Sequence, residues 1–150
     1  MEEKSNLEVV IDCISTIENN LDQIISSFIA PKESSYHFFW SIMLDSSILP
    51  IGSKIKLFVA ISQNIDAKTN PTVLHKLIAL RNAFAHQGSN ENPVFIAQKG
   101  TKECKGFNAL KVISQSGRVS LMDRGKAFEQ FNQHYKASLD MLLEIKEKLK

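Results

Sequence analysis

An arginine, an asparagine and a histidine fall within six residues of one another in the segment LIALRNAFAHQG (77–88), as Arg81, Asn82 and His86. Their types suit phosphodiester chemistry. A guanidinium fork matches phosphate oxygens, and an imidazole can gain or lose a proton near neutral pH. Metal-independent RNA cleavage needs a base for the 2′-hydroxyl proton, an acid for the leaving 5′ oxygen and a cation for the developing charge. Arg81 and His86 are the candidate catalytic pair, with Asn82 between them. In a chain of this composition, Arg-Asn-x-x-x-His arises by chance only about 0.005 times.

On a helix each residue turns through 100°, so Arg81 and His86 stand about 140° apart. Leu74, Leu77, Ile78, Arg81, Phe84 and Ala85 share one broad arc, whereas His75, Ala79, Asn82 and His86 share a neighbouring stripe. Two readings follow. In the structural one, Arg81 is a buried cation paired with a carboxylate of another helix, for instance Asp12 or Glu18. In the functional one, the helix meets a second copy of itself across a two-fold axis, which brings two arginines and two histidines into one cleft.

Other residue types with chemical potential are less organised. Lys99, Lys102 and Lys105 punctuate the loop KGTKECKG (99–106), either a solvated tip or a basic flap contacting an RNA backbone. That loop lacks the order of a phosphate-binding P-loop. His75 lies eleven residues before His86, too far for a helical metal pair. The two cysteines, Cys13 and Cys104, have neither metal nor disulfide spacing. No metal and no cofactor are expected. Tyr36, His37, Phe38, Phe39 and Trp40 cluster as core or as a dimer face.

The elements that must position these residues follow from periodicity. Residues Leu7, Val10, Ile14, Ile17, Leu21, Ile24 and Phe28 recur at steps of three and four, with Ser5 or Asn6 as cap and Pro31 as terminator. Two more apolar runs, SSYHFFWSIMLDSSIL and GSKIKLFVAISQNI, make the second and third helices. Asn70 caps the fourth with Pro71 at its first position, and Gly88 is placed to end it. PVFIA, LKVIS and RVSLM read as short strands, the last two joined through Ser116-Gly117. Ser120 and Asp123 resemble a capping box for a last long helix bearing Phe128, Phe131, Tyr135, Leu142, Ile145 and Leu149. The expectation is an all-α, five-helix bundle forming a single domain, 1–150, with a small β-hairpin excursion at about 93–122 between helices 4 and 5.

Composition agrees with a globular domain, 43% hydrophobic and 23% charged with a formal charge of +2. Charge is unevenly spread. Residues 1–33 carry seven acids against two bases, a net −5, while residues 93–126 carry seven bases against two acids, a net +5. The basic stretch favours an anionic partner. No apolar run approaches the ~18 residues of a membrane span, and no signal core opens the chain. No membrane contact and a cytoplasmic location are expected.

The hexapeptide Arg81-Asn82-Ala83-Phe84-Ala85-His86 resembles the Arg-polar-x-x-x-His signature of the HEPN superfamily. That resemblance implies a helical bundle, a homodimer with the signature at its cleft, and often an RNA-cleaving toxin or defence function. It also implies that Arg81 holds phosphate, that His86 is the acid or base, that Asn82 in support orients His86 or RNA, and that a protein regulator can be present. Some toxin members carry a tyrosine two places after the histidine, which a partner nucleotidyltransferase modifies. Gly88 stands there in this chain, so that control is not expected. LHKLIALRNAFAH following GSKIKLFVAI is also similar to the mannitol operon repressor family, which implies the alternative of a non-catalytic transcriptional regulator or protein-interaction module.

Overall fold

Ser5 opens the first helix with a reciprocal cap. Its hydroxyl accepts from the Glu8 amide at 3.3 Å, and the Glu8 carboxylate accepts from the Ser5 amide at 2.8 Å. The computed structural model describes residues 4–87, 93–97, 100 and 104–150. Helix α1 spans Asn6–Ile29 and ends where Ala30 turns left-handed, φ 46°, so that its amide reaches the carbonyl of Ser26 one residue before Pro31.

Five α-helices are present among the described residues. Helix α2 (Glu33–Phe38) runs into a π-helical turn at Phe39–Met43, α3 covers Ile51–Asn64, α4 covers Thr72–Gln87 and α5 covers Arg124–Lys148. Asn70 caps α4 as expected, its side-chain oxygen accepting from the Thr72 amide at 3.2 Å. The excursion between α4 and α5 is one strand larger than a hairpin. Strands β1 (Pro93–Ala97), β2 (Cys104–Ile113) and β3 (Val119–Asp123) form an antiparallel sheet in the order β1-β2-β3. Pro93 pairs with Asn108 and Ile113 with Val119, so β1 and β3 flank different halves of β2.

The core is built by α1, α3, α4 and α5 with one face of β2. Ile17, Leu21, Phe58, Leu77, Phe84, Leu110, Phe131 and Leu142 are fully enclosed. Phe84 meets Phe128 edge-on at 6.3 Å, and Lys76 acts on His134, so α4 and α5 run antiparallel. On β2 sides alternate from Leu110 onward, after the buried Ala109. Leu110 and Val112 face the core, while Lys111 and Ile113 face out beside Leu121 and Val119.

Three details differ from the periodicity reading. Phe28 is exposed and Ile25 is buried, because the last turn of α1 runs past the end of the core. The buried arc of α4 includes Leu80 and Ala83 and leaves Ala85 outside, because α5 and β2 cover this helix in addition to α1. Asp123 alone caps α5, accepting from the Lys126 amide at 3.0 Å, while Ser120 belongs to β3 and donates to the Val112 carbonyl. Gly88 lies outside the described residues.

Candidate functional site

Helix α4 presents the stripe of His75, Ala79, Asn82 and His86 to an open groove of about 680 Å³. Gly52 and Ile55 of α3 form one side of it, and Lys111, Ile113 and Ser114 of β2 and its turn form another. Asn82, His86 and Lys111 are solvent-exposed, and His75 is half-buried. No carboxylate lines this groove among the described residues. Its floor is apolar and its functional groups are two imidazoles, three carboxamides, a hydroxyl and an ammonium, a set that can take an anionic ligand and move protons on it.

The wall that holds His86 is fixed by its neighbour in sequence. The Gln87 side chain donates to the Lys111 carbonyl at 2.6 Å and accepts from the Lys111 amide at 2.8 Å. Strand β1 stops pairing at Asn108. The Gln87 carboxamide therefore occupies the position that a continued β1 would fill, satisfying backbone groups that a strand edge leaves open.

Arg81 takes a different direction. It is half-buried on the adjoining face, does not line the His86 groove, and has its Nε enclosed without an acceptor. Its charge acts on Glu18 of α1, and it makes no ion pair among the described residues. Within one chain the groove unites His86 with Asn82 and His75, and Arg81 stands apart. Of the basic-loop residues, Lys99 and Lys102 lie outside the described residues. Lys105 is paired through its backbone with Ile96, and its side chain lies outside them too.

Beside Arg81 lies a charge cluster that the sequence reading did not identify. Lys54 of α3 is only 1% exposed, and its Nζ sits 2.8 Å from Glu18 Oε1 and 2.8 Å from Asp22 Oδ1. The Asp22 oxygen has charge contact but no aligned hydrogen bond. Burial pushes the Glu18 carboxyl up, yet hydrogen bonds from Lys54 and Ser46 and the charges of Lys54 and Arg81 bring it below the usual range. Burial wins at Asp22, whose carboxyl stays raised despite Lys54. Burial also works against the Lys54 ammonium, but its two carboxylates outweigh it and hold the proton more tightly than in water. The signal was in the spacing. Position 54 lies on the stripe of Ile51, Ile55, Phe58 and Ile61, and Glu18 and Asp22 stand four apart on α1.

Among the described residues no group of three or more His, Cys, Asp and Glu side chains is arranged to hold a metal ion. Nor does any helix there have the length and apolarity to cross a membrane. No family model matches the chain, and comparison with curated proteins and with solved structures finds no match either.

Proposed function

We propose that this protein is an RNA-directed, HEPN-like domain and a metal-independent endoribonuclease that works as a homodimer, with His86 as its proton-transfer group. The observation that carries this reading is the exposure of His86 and Asn82 together on one wall of an open groove with Lys111 nearby and, among the described residues, no carboxylate in the lining. A phosphodiester there meets an imidazole, a carboxamide and a cation. Transfer of the 2′-hydroxyl proton to one imidazole lets the 2′ oxygen attack phosphorus. A second group returns a proton to the departing 5′ oxygen, leaving a 2′,3′-cyclic phosphate and a 5′-hydroxyl.

His75 cannot be that second group on the same phosphate. Eleven residues of helix separate it from His86, about 16 Å along the axis. The His86 of a second copy can serve, which is why the reading requires a dimer. Removing one acid–base group costs about 10²–10⁴ in rate. The test is cleavage of mixed RNA in EDTA by wild type and by His86→Ala, with folding and sedimentation of both checked first. A loss of at least 100-fold with cyclic phosphate ends in the wild-type products is expected.

Arg81 favours a second reading. Its half-buried guanidinium lies outside the groove and its charge acts on Glu18, although it makes no ion pair among the described residues. It supports a non-catalytic regulator or interaction module similar to the mannitol operon repressor. Absence of cleavage by dimeric wild-type protein would select it.

A further inference from the structure

A second groove, of about 400 Å³, lies between α4, α5 and the β2–β3 hairpin. Its basic side chains come from three separate elements: the Lys76 ammonium from α4, the Arg118 guanidinium from the hairpin turn and the His134 imidazole from α5. His75 sits where this groove adjoins the first. No carboxylate lines it, and neither Lys76 nor Arg118 makes an ion pair among the described residues. The turn holds Arg118 in place. Its amide donates to Ser114 Oγ at 3.1 Å, its carbonyl accepts from the Ser114 amide at 2.9 Å, and Gly117 supplies the left-handed φ of 83° that the reversal needs. Ser114, Ser116 and Ser120 add hydroxyls, and Leu80, Val112 and Met122 give the groove an apolar base.

Uncompensated like charges at a shared concavity repel one another and raise the local potential. His134 registers it. Burial, then the nearby Lys76 charge, push its imidazole below the ordinary histidine range. A ligand bearing negative charge would remove that repulsion. The rest of the lining selects among anions, because hydroxyls and a guanidinium suit tetrahedral phosphate oxygens, and the apolar base suits a sugar or base ring.

We propose that this groove binds a phosphate ester, with Lys76 and Arg118 as the ligand-contacting cations. The site adjoins the His86 groove, sharing His75, Ala79, Ser114 and Gln115 with it, but its two cations line the second groove alone, and the proposal stands whether or not His86 cleaves anything. The ester could come from a free sugar phosphate or from the backbone of a single RNA strand, and two probes separate these sources. Ribose 5-phosphate is titrated calorimetrically, and a fluorescent twelve-nucleotide RNA without terminal phosphates is followed by anisotropy.

The Lys76→Gln/Arg118→Gln protein is expected to bind its probe at least tenfold more weakly than wild type. Lys136→Gln removes one exposed charge from α5 outside both grooves, and it should change affinity less than twofold. His86→Ala should retain binding at the second groove, which separates this site from the proposed catalytic one. Binding of ribose 5-phosphate supports a free ligand, and binding of the RNA alone supports the strand backbone. No binding of either probe by wild type, or a loss in the double variant no larger than in Lys136→Gln, overturns the proposal.

Discussion

Lys54 carries the largest single electrostatic stake in the molecule. An ammonium removed from water is tolerable only with its countercharges in contact, and here two carboxylates four residues apart on α1 provide them. Lys54→Met should leave Glu18 and Asp22 facing each other across a half-dry pocket and destabilise the fold by about 3 kcal/mol, the low end for a broken buried pair because both acids keep some solvent. Urea unfolding of the variant measures this. Adding Glu18→Gln and Asp22→Asn should restore most of the loss. The pH response should differ as well. In wild type the Glu18 carboxyl is depressed, so its contribution is present above its unfolded value and lost as pH falls through the folded one. Without Lys54, both carboxyls rise above their unfolded values, and the variant should regain stability as pH falls from 7 to 4. An unfolding midpoint for Lys54→Met that is unchanged at pH 7 would show that water, rather than Lys54, compensates these acids.

At the scale of elements, the sheet is attached to the bundle through its buried face and through the Gln87 side chain, among other contacts. Gln87 makes both of its hydrogen bonds to a single residue of β2, as a neighbouring strand would. Gln87→Leu keeps much of the bulk but removes both the donor to the Lys111 carbonyl and the acceptor of the Lys111 amide. A cost of about 1–3 kcal/mol is expected, concentrated locally. Hydrogen exchange reads it directly: the Lys111 amide should lose protection while amides in α1 and α5 keep theirs. Uniform loss across the molecule would mean that the strand is held by its packing on α4 instead. These elements differ in how well sequence announces them. The stripe of α1, the Ser5–Glu8 cap and the Asn70-Pro71 start of α4 are local signals, and each appears where the residues require it. The Ser116-Gly117 turn is local too. By contrast, the Gln87 clamp joins residues 24 apart, and the Lys54 ion cluster joins residues 32 and 36 apart. No period encodes such pairings. The rotation of α4 was hidden for the same reason, since its buried face depends on how many neighbours cover it. Part of the candidate site was legible, because the His75–His86 stripe is a property of one helix. Arg81's place on a different arc was legible in the same way, whereas its nearness to Glu18 of α1 could not be read from that helix alone.

For the molecule as a whole, exposed apolar side chains lie both away from the grooves and beside them, at Ile113, Val119 and Leu121 of the hairpin. Phe38, Ile42, Met43 and Ile48 stay exposed along α2, the π turn and the segment after it, whereas both grooves open beside α4 and the hairpin. The acidic first third of the chain is less acidic at its surface than its composition suggests, because Glu18 and Asp22 are engaged with Lys54. This last residue also equips the protein with an internal clock for its own opening. Of fifteen lysines, Lys54 is the buried one among the described residues, and Lys56, two positions away on the same helix, is exposed. Under an acylating reagent Lys56 should react at the rate of a free amine, while Lys54 waits for α1 and α3 to part. The ratio of the two rates, followed by mass spectrometry across a urea series, should track the global unfolding free energy. A ratio insensitive to urea would instead reveal that α3 breathes on its own, and that the bundle comes apart first where its charges meet.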